Sequence, residues 1–426
     1  MDASPEDSNK KDKAPPAPSY WLTRFVILRL LGVVYFFAFL SLATQVQPLI
    51  GSHGLLPVPL FLERAGKHFG SHFEGFLQLP SLFWIDASDA TLAAAAWAGV
   101  ILSLLLLFGF ANSILLLVLW ALYMSFVHIG QDWYGYGWEI QLLETGFLAA
   151  FLVPLVDPRP FPRRPPPLPV IWLFRWLAFR IMLGAGLIKI RGDACWRDLT
   201  CLYSHYETQP IPNPLSPYLH FMPKWFHRGG VLFNHFCELL VPWFSFGPRL
   251  GRHIAGVLMV AFQVILILSG NLSFLNYLTI VPMIACFDDS LLGRVLPRRL
   301  VARAESAAAE AVESKSQRIG SWALVALVAL LSYYPVRNLL SSHQAMNTSF
   351  NRLKLVNTYG AFGSVGKERH EIVFEGTADQ VLGDATRWRE YEFWCKPGDP
   401  LRRPCVIAPY QPRLDWQIWF AAMSRP

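Results

Sequence analysis

Four polar side chains lie in otherwise apolar stretches of the sequence. Burying a polar side chain in such a stretch costs free energy, so each of the four is a candidate for a function. They are Glu144, Arg180, His235 and Glu238. His235 and Glu238 are three residues apart, a spacing that places both side chains on one face of a helix. We expect Arg180 to neutralise one of the two glutamates. The group could bind a polar ligand or carry acid/base chemistry, or it could be a buried ion-pair network that holds helices together, and both alternatives stay open.

The stretches that carry these residues are long enough to span a membrane. The chain has 426 residues, of which 53% are apolar and 16% charged. Soluble domains average about 25% charged residues, so a single soluble domain is excluded. We therefore predict a mainly α-helical polytopic membrane protein. The sequence has nine candidate spans, near residues 24–45, 91–110, 112–128, 139–156, 170–190, 231–247, 253–270, 272–287 and 320–340.

The basic residues indicate how these spans are oriented. Lys and Arg concentrate in the N-terminal tail, in DPRPFPRRPPP (157–167) and in residues 294–318, whereas the longer loops 46–90 and 191–230 hold few. Because basic loops stay in the cytosol, the positive side is the inner side. Residues 1–23 are then a disordered cytosolic tail, and residues 24–340 form the membrane domain with 46–90 and 191–230 as outer loops. The net charge of +7 reflects this orientation, and we expect no nucleic-acid partner.

The part of the chain after the last span has a different character. Residues 341–426 contain the strand-like runs HEIVFEG (370–376) and EYEFWC (390–395), which predict a small β-rich domain on the outer side. A glycosylation sequon begins there at Asn347. Four cysteines also fall on the outer side, where disulfides persist. Their positions allow Cys195 to pair with Cys201 and Cys395 with Cys405, and free thiols are the alternative.

The outer loop 191–230 is crowded with charged, aromatic and proline residues, which favours a recognition surface over a tether. Neither tetrahedral zinc spacing nor a Cys-x-x-Cys pair occurs in it, so we predict neither a metal site nor a cofactor. The residues that we expect to bind a partner are Arg191, Asp193, Trp196, Arg197, Asp198, His205, Tyr206, Glu207 and Gln209.

Four long stretches resemble the lipase maturation factor family. They are YGWEIQLLETGFLAAFLVP (136–154), RIMLGAGLIKIRGDACWRDLTCLYSHYETQPIPNPLS (180–216), NHFCELLVP (234–242) and SGNLSFLNYLTIVPMIACFDD (269–289). The resemblance runs from about residue 20 to the closing RLDWQIWFAAM. It implies a non-enzymatic factor in the endoplasmic reticulum membrane, with the N-terminus in the cytosol. The C-terminal domain would lie in the lumen, where the family assists folding and dimer assembly of secreted lipases.

Two departures qualify what the resemblance implies. The chain stops shortly after RLDWQIWFAAM, where we expect eukaryotic relatives to continue. Its Ala- and Arg-rich composition suits a bacterial relative, for which the outer side would be periplasm.

In outline the spans also resemble the membrane part of vitamin K-dependent γ-carboxylase. This second likeness supports the alternative function, an integral membrane enzyme that acts on a lipid or a secreted polypeptide in an outward-facing polar cavity.

Overall fold

The computed structural model describes residues 19–423, which fold mainly into helices. The α-helices are α1 (Trp21–Ala43), α2 (Val46–Ile50), α3 (Val58–Phe69), α4 (His72–Gln78), α5 (Asp89–Phe108), α6 (Ser113–Ile129), α7 (Gly137–Ala150), α8 (Leu168–Arg191), α9 (Ala194–Arg197), α10 (Leu202–Thr208), α11 (Ser216–His220), α12 (Lys224–His235), α13 (Arg249–Ser269), α14 (Leu275–Met283), α15 (Asp289–Val295), α16 (Arg298–Ala309), α17 (Lys315–Leu331), α18 (Tyr333–Leu340) and α19 (Arg413–Met423). Turns of 3-10 helix lie at Leu82–Trp84, Gln131–Tyr134, Val241–Phe246 and Ile284–Cys286, and a π-helical turn lies at Phe236–Leu240.

Several of these helices cross a membrane, which confirms a polytopic membrane protein. In the described range α1, α5, α8 and α13 are long and apolar enough to span, and α17 with α18, a pair bent by 41°, adds a fifth span if the two helices cross together. Nine spans are therefore not confirmed. The helix α7 has 14 residues, about 21 Å at 1.5 Å per residue, which is shorter than a bilayer core of about 30 Å. Most of its side chains are buried in protein, so its apolar run reflects packing.

Local signals in the sequence set the ends of the long helices. The Ser88 side chain accepts a hydrogen bond from the Thr91 amide at the start of α5, and Asn112 caps α6 in the same way. Helix α8 begins directly after the proline run 165–167, with another proline in its first turn. It is the most buried of the four long spans, at 72%. Its neighbours include α14, α17 and the π-helical turn, so α8 forms the centre of the bundle.

The two ends of α1 lie in different surroundings. At its start the Ser19 hydroxyl donates to Asp289 at 2.6 Å. Asp289 is the first residue of α15, and the basic residues 294–303 come next in the chain. Near its end the Ser41 hydroxyl donates to the Gln411 carbonyl at 2.7 Å. The Cys405 carbonyl, close to Gln411 in sequence, accepts from Asn271 at 2.9 Å. We call the end of the bundle near the start of α1 the basic end. The opposite end, near the end of α1, is the disulfide end.

The predicted N-terminal tail is shorter than expected where the structure describes it. Helix α1 begins at Trp21, and Thr23 and Arg24 are buried. Residues 21–23 therefore belong to the helix. The Arg24 side chain donates a hydrogen bond to the Arg164 carbonyl at 2.8 Å, which holds this end of the helix in place. Residues 1–18, the rest of the predicted tail, lie outside the described residues.

The segment after α18 holds much less strand than its sequence predicts. Its sheet consists of β1 (Glu375–Gly376) and β2 (Arg389–Glu390), paired antiparallel. Both strands overlap the predicted runs, but the pairing is only two residues long. Side chains take the place of a strand partner, since the amides of Cys395 and Lys396 donate to the Asp415 carboxylate at 2.8 and 2.7 Å. The closing stretch, RLDWQIWFAAM, forms helix α19.

Candidate functional site

A buried carboxylate on α7, Glu144, is the centre of the first polar cluster. It forms an ion pair with Arg180 of α8, as expected for one of the two glutamates. It also accepts hydrogen bonds from Tyr359 at 2.6 Å and from the Asn357 amide at 3.0 Å. Arg180 donates in turn to the Asn357 carbonyl at 2.7 Å. The segment that follows α18 therefore completes the charge pair between two membrane helices.

A second carboxylate on α7, Glu139, is neutralised by the far end of the chain. Its partner is Arg413 at the start of α19, at 2.8 Å, and neither side chain is exposed. The guanidinium also donates to the Trp133 carbonyl at 2.5 Å and lies 3.7 Å from the ring centroid of Tyr134. Burial would lower the pKa of Arg413, but the charge of Glu139 raises it above its ordinary value. The guanidinium of Arg413 therefore stays charged throughout the physiological pH range.

The third cluster joins α8 to the segment after α12. Lys189 pairs with Glu238 at 2.5 Å, and Asn234 donates to the other carboxylate oxygen at 2.8 Å. The ring of His235 faces elsewhere and contacts the Trp196 carbonyl through Nε2 at 3.0 Å. Of the four sequence candidates, Glu144 and Arg180 therefore pair with each other, Glu238 pairs with Lys189, and His235 belongs to neither pair. Neither Glu139 nor Arg413 was among those candidates.

The clusters are better suited to holding helices in register than to catalysis. Each buried carboxylate already has a cation and at least one further donor, so a substrate would have to displace these partners. Removing one member of such a pair leaves an uncompensated buried charge, which is strongly destabilising. Among the described residues, no three His, Cys, Asp or Glu side chains are grouped to hold a metal ion.

The predicted partner-binding residues of the loop 191–230 fall into two groups. One group supports the loop from inside and comprises Trp196, His205, Tyr206 and Gln209, all of them buried. The other is exposed and comprises Arg197, Asp198 and Glu207. Arg191 and Asp193 are half-buried, the first bonded to Gln344 at 2.8 Å and the second capping α9 through the Cys195 amide at 2.9 Å.

Two of the buried loop residues show how the loop is fixed. The indole of Trp196 donates to the Phe362 carbonyl at 2.8 Å, which ties the loop to the C-terminal segment. Burial, assisted by the charge of Lys189, lowers the pKa of His205 to about 4. His205 is therefore neutral at neutral pH and serves as an uncharged packing group. The structure also pairs Cys195 with Cys201 and Cys395 with Cys405 as disulfides.

Sequence reasoning missed the most exposed aromatic residues of this loop. Tyr218, Phe221 and Trp225 are 71%, 83% and 74% exposed, and Met222 between them is 42% exposed. We call these four residues the aromatic face. Aromatic side chains and Met are enriched at protein interfaces, and a contiguous exposed apolar patch marks an interaction site. Their position around Pro223 and Lys224 in YLHFMPKWF was the available signal.

A cavity of about 460 Å³ opens between the clusters at the disulfide end. Its walls come from α7, α8, α13 and α14, from the loop 191–230 and from the C-terminal segment, including α19. Glycines let these walls approach, since a Cβ at Gly184 would lie 2.5 Å from the Tyr359 carbonyl and one at Gly186 would lie 2.6 Å from Leu239. Of the four sequence candidates only Glu238 lines the cavity. Asn347 also lines the cavity and is exposed. Its glycosylation stays a prediction.

Comparison with known proteins supports an assignment for this arrangement. The model of the lipase maturation factor transmembrane domain matches residues 22–294, and that of the lipase maturation factor C-terminal domain matches residues 355–426. The chain belongs to the lipase maturation factor family. The second matched domain contributes Asn357, Tyr359 and Arg413, so the clusters around Glu144 and Glu139 join the two parts of a lipase maturation factor fold. The cluster around Glu238 lies within the first part.

Named relatives agree with this assignment. The chain is 51% identical to lipase maturation factor 1 of Bos taurus, with 96% of this chain and 76% of the relative covered. Against lipase maturation factor 1 of Homo sapiens the identity is 49%, with 98% and 79% covered. Lipase maturation factor 2 of Homo sapiens is 30% identical, with 95% and 72% covered. These vertebrate relatives offer no support for a bacterial origin. No solved structure matches this member of the lipase maturation factor family.

Proposed function

We infer that this chain is a membrane maturation factor for lipases, which assists the folding and dimer assembly of a secreted lipase. The relatives at 49–51% identity are named for lipase maturation and match the chain over almost its whole length. The observation that carries the inference to specific residues is the aromatic face. It lies in a loop tied to the C-terminal segment, and its four large apolar side chains are exposed together.

We propose that the disulfide end faces the lumen of the endoplasmic reticulum. Disulfides form and persist in that oxidising compartment, and this end carries both of them. The opposite end holds the basic segments. Arg163 there pairs with Glu310 at 3.0 Å, which brings the segment DPRPFPRRPPP together with the helix α16. Such an excess of basic residues is typical of the cytosolic side. The aromatic face is then exposed where a secreted lipase folds.

We propose that a partly folded lipase binds the aromatic face through apolar surface that it has not yet buried. Exposed Tyr, Trp, Phe and Met side chains supply large apolar area and adapt to different partners. The charged residues Arg197, Asp198 and Glu207 lie in the same loop and would contribute a polar rim. Such a surface needs no catalytic group. This agrees with the buried carboxylates, each of which is already paired with a cation and a further hydrogen-bond donor.

The test is the yield of active lipase from cells that lack their own lipase maturation factors. The full chain is co-expressed with a secreted lipase, and lipase activity is divided by secreted lipase mass. Replacing Phe221 and Trp225 together by serine should lower this ratio at least fivefold, with the membrane level of the chain unchanged. The matched control is Phe110→Ser, a half-exposed phenylalanine between α5 and α6 at the basic end. Equal ratios for both variants would overturn the proposal.

A further inference from the structure

The cavity at the disulfide end has mostly apolar walls. Ile181 and Met182 of α8, Leu266 of α13 and Leu275 of α14 contribute to them, together with the aromatic rings of α19. Its volume of about 460 Å³ is within the range of sites that hold a small molecule. Three of the four helices that form it are apolar helices of the membrane domain, and the rest of its wall comes from the loop 191–230 and the C-terminal segment.

Most polar groups of the lining are already paired with one another. Gln141 donates to Thr279 at 3.0 Å, and Asn276 donates to Gln263 at 2.8 Å. Among the described residues, the charged groups of the lining are Lys189 and Glu238, which pair with each other. The cavity therefore offers a ligand no unpaired charge, and an ion entering it would lose hydration without compensation. This favours an uncharged amphiphile over a fatty acid anion.

One buried donor of the lining is an exception. Trp416 of α19 is 3% exposed, and its Nε1 has no hydrogen-bond partner among the described residues. Leaving such a donor unpaired costs about 1–3 kcal/mol. The neighbouring Trp419 also lines the cavity, but its Nε1 donates to the Thr208 carbonyl at 3.2 Å. The Nε1 of Trp416 has no accessible surface in this conformation, so a ligand that carries a hydrogen-bond acceptor would satisfy the donor when the ring turns toward the cavity.

We propose that this cavity binds a neutral membrane lipid, whose acyl chain lies against α8, α13 and α14. An ester or hydroxyl oxygen of the lipid accepts the hydrogen bond of Trp416 Nε1 once this ring has turned toward the cavity. Met182 and the leucines supply apolar contact, and the paired polar groups exclude charged headgroups. The site does not include the aromatic face and does not require a lipase client. Its failure and that of the proposed function are therefore separable.

The test uses the full chain in detergent, stripped of lipid, and three probes of equal chain length. Binding of monooleoylglycerol, oleate and octadecene is measured by competition with a fluorescent acyl probe and by native mass spectrometry. Monooleoylglycerol should bind most tightly. The variant Ala185→Phe fills the cavity from α8 and should weaken binding of every probe at least tenfold. The control Leu187→Phe adds bulk on the same helix outside the lining and should leave binding unchanged.

The variant Trp416→Phe keeps an aromatic ring and removes only the donor. It should weaken monooleoylglycerol about fivefold, the value of one hydrogen bond, and leave octadecene unchanged. Trp419→Phe, whose indole is already satisfied by protein, should leave the preference between the two probes as it is. The proposal is overturned if Trp416→Phe weakens both probes equally, or if oleate binds more tightly than monooleoylglycerol. Wild-type binding by a folded Ala185→Phe variant would also overturn it, and the Trp416 comparison decides the question if that variant does not fold.

Discussion

The ion pair between Arg413 and Glu139 should contribute strongly to stability, and its loss can be measured. The change is Arg413→Gln, which removes the charge and keeps a polar side chain of similar length. It leaves the Glu139 carboxylate buried with Tyr123 as its remaining described partner. Both members of the pair are fully buried, so water cannot take the place of the guanidinium.

The magnitude follows from what the guanidinium contacts. Removing one partner of a buried ion pair costs about 3–5 kcal/mol. Arg413 also loses its hydrogen bond to the Trp133 carbonyl and its contact with the ring of Tyr134, which place the effect toward the upper value. We expect the free energy of unfolding to fall by about 4 kcal/mol. The exposed pair of Arg163 and Glu310 provides the control, since Arg163→Gln should cost under about 1 kcal/mol.

The assay is equilibrium unfolding of the detergent-solubilised chain, followed by tryptophan fluorescence during titration with sodium dodecyl sulfate. A double-mutant cycle separates the pair from its surroundings. The variant with both Arg413→Gln and Glu139→Gln carries no unpaired charge and should be more stable than the sum of the single losses by about 2–3 kcal/mol. Additive losses, or a single loss no larger than that of Arg163→Gln, would show that the pair does not stabilise the fold in this way.

Three further predictions concern the loop that carries the aromatic face and its anchor on α8. Replacing Glu238 by Gln leaves Lys189 charged and buried, so the free energy of unfolding should fall by about 3 kcal/mol in the same titration. The fraction of the variant that folds should still yield secreted lipase of normal specific activity. His205 has a pKa lowered to about 4, so the unfolded chain binds the extra proton first. Stability should fall as pH falls from about 6.5 to 4, and His205→Gln should flatten that slope in unfolding curves measured across this range. Cys195→Ser opens the short loop closed at Cys201 and should cost about 2 kcal/mol under oxidising conditions, an effect that a reductant should abolish.

The membrane character of the chain was predictable from the sequence because apolar runs of about 20 residues are rare outside membrane spans. The number of spans was not. The run at 139–156 is apolar since α7 is packed inside the protein, and hydropathy does not distinguish a lipid surround from a protein surround. The run at 231–247 is interrupted at the π-helical turn Phe236–Leu240, which no local residue pattern announced.

The buried charges were only half predictable. Glu144 and Arg180 stand out in apolar runs, and their pairing follows from the cost of leaving either alone. The pairing of Glu139 with Arg413 joins residues 274 positions apart. Arg413 lies in a polar-looking stretch where an arginine is ordinary, so nothing local marked it as buried. Its role emerges only when α19 packs against the end of α7.

The recognition surface shows a related limit. Residue type suggested Trp196 and Tyr206 as contacts, yet both are buried. Aromatic rings serve cores and interfaces equally well, so composition does not separate the two roles. Phe221 and Trp225 lie on either side of Pro223, the first directly after α11 and the second in the first turn of α12, so their exposure depends on how those two helices pack.

Contact between a lipase and the aromatic face is tested most directly by site-specific photo-crosslinking. A photoreactive phenylalanine analogue is placed at position 221 or, as control, at position 110, and the chain is co-expressed with a secreted lipase in cells. We expect a crosslinked product containing the lipase from position 221 and none from position 110. Equal crosslinking from both positions, or a product from position 110 alone, would show that the lipase does not bind at the aromatic face.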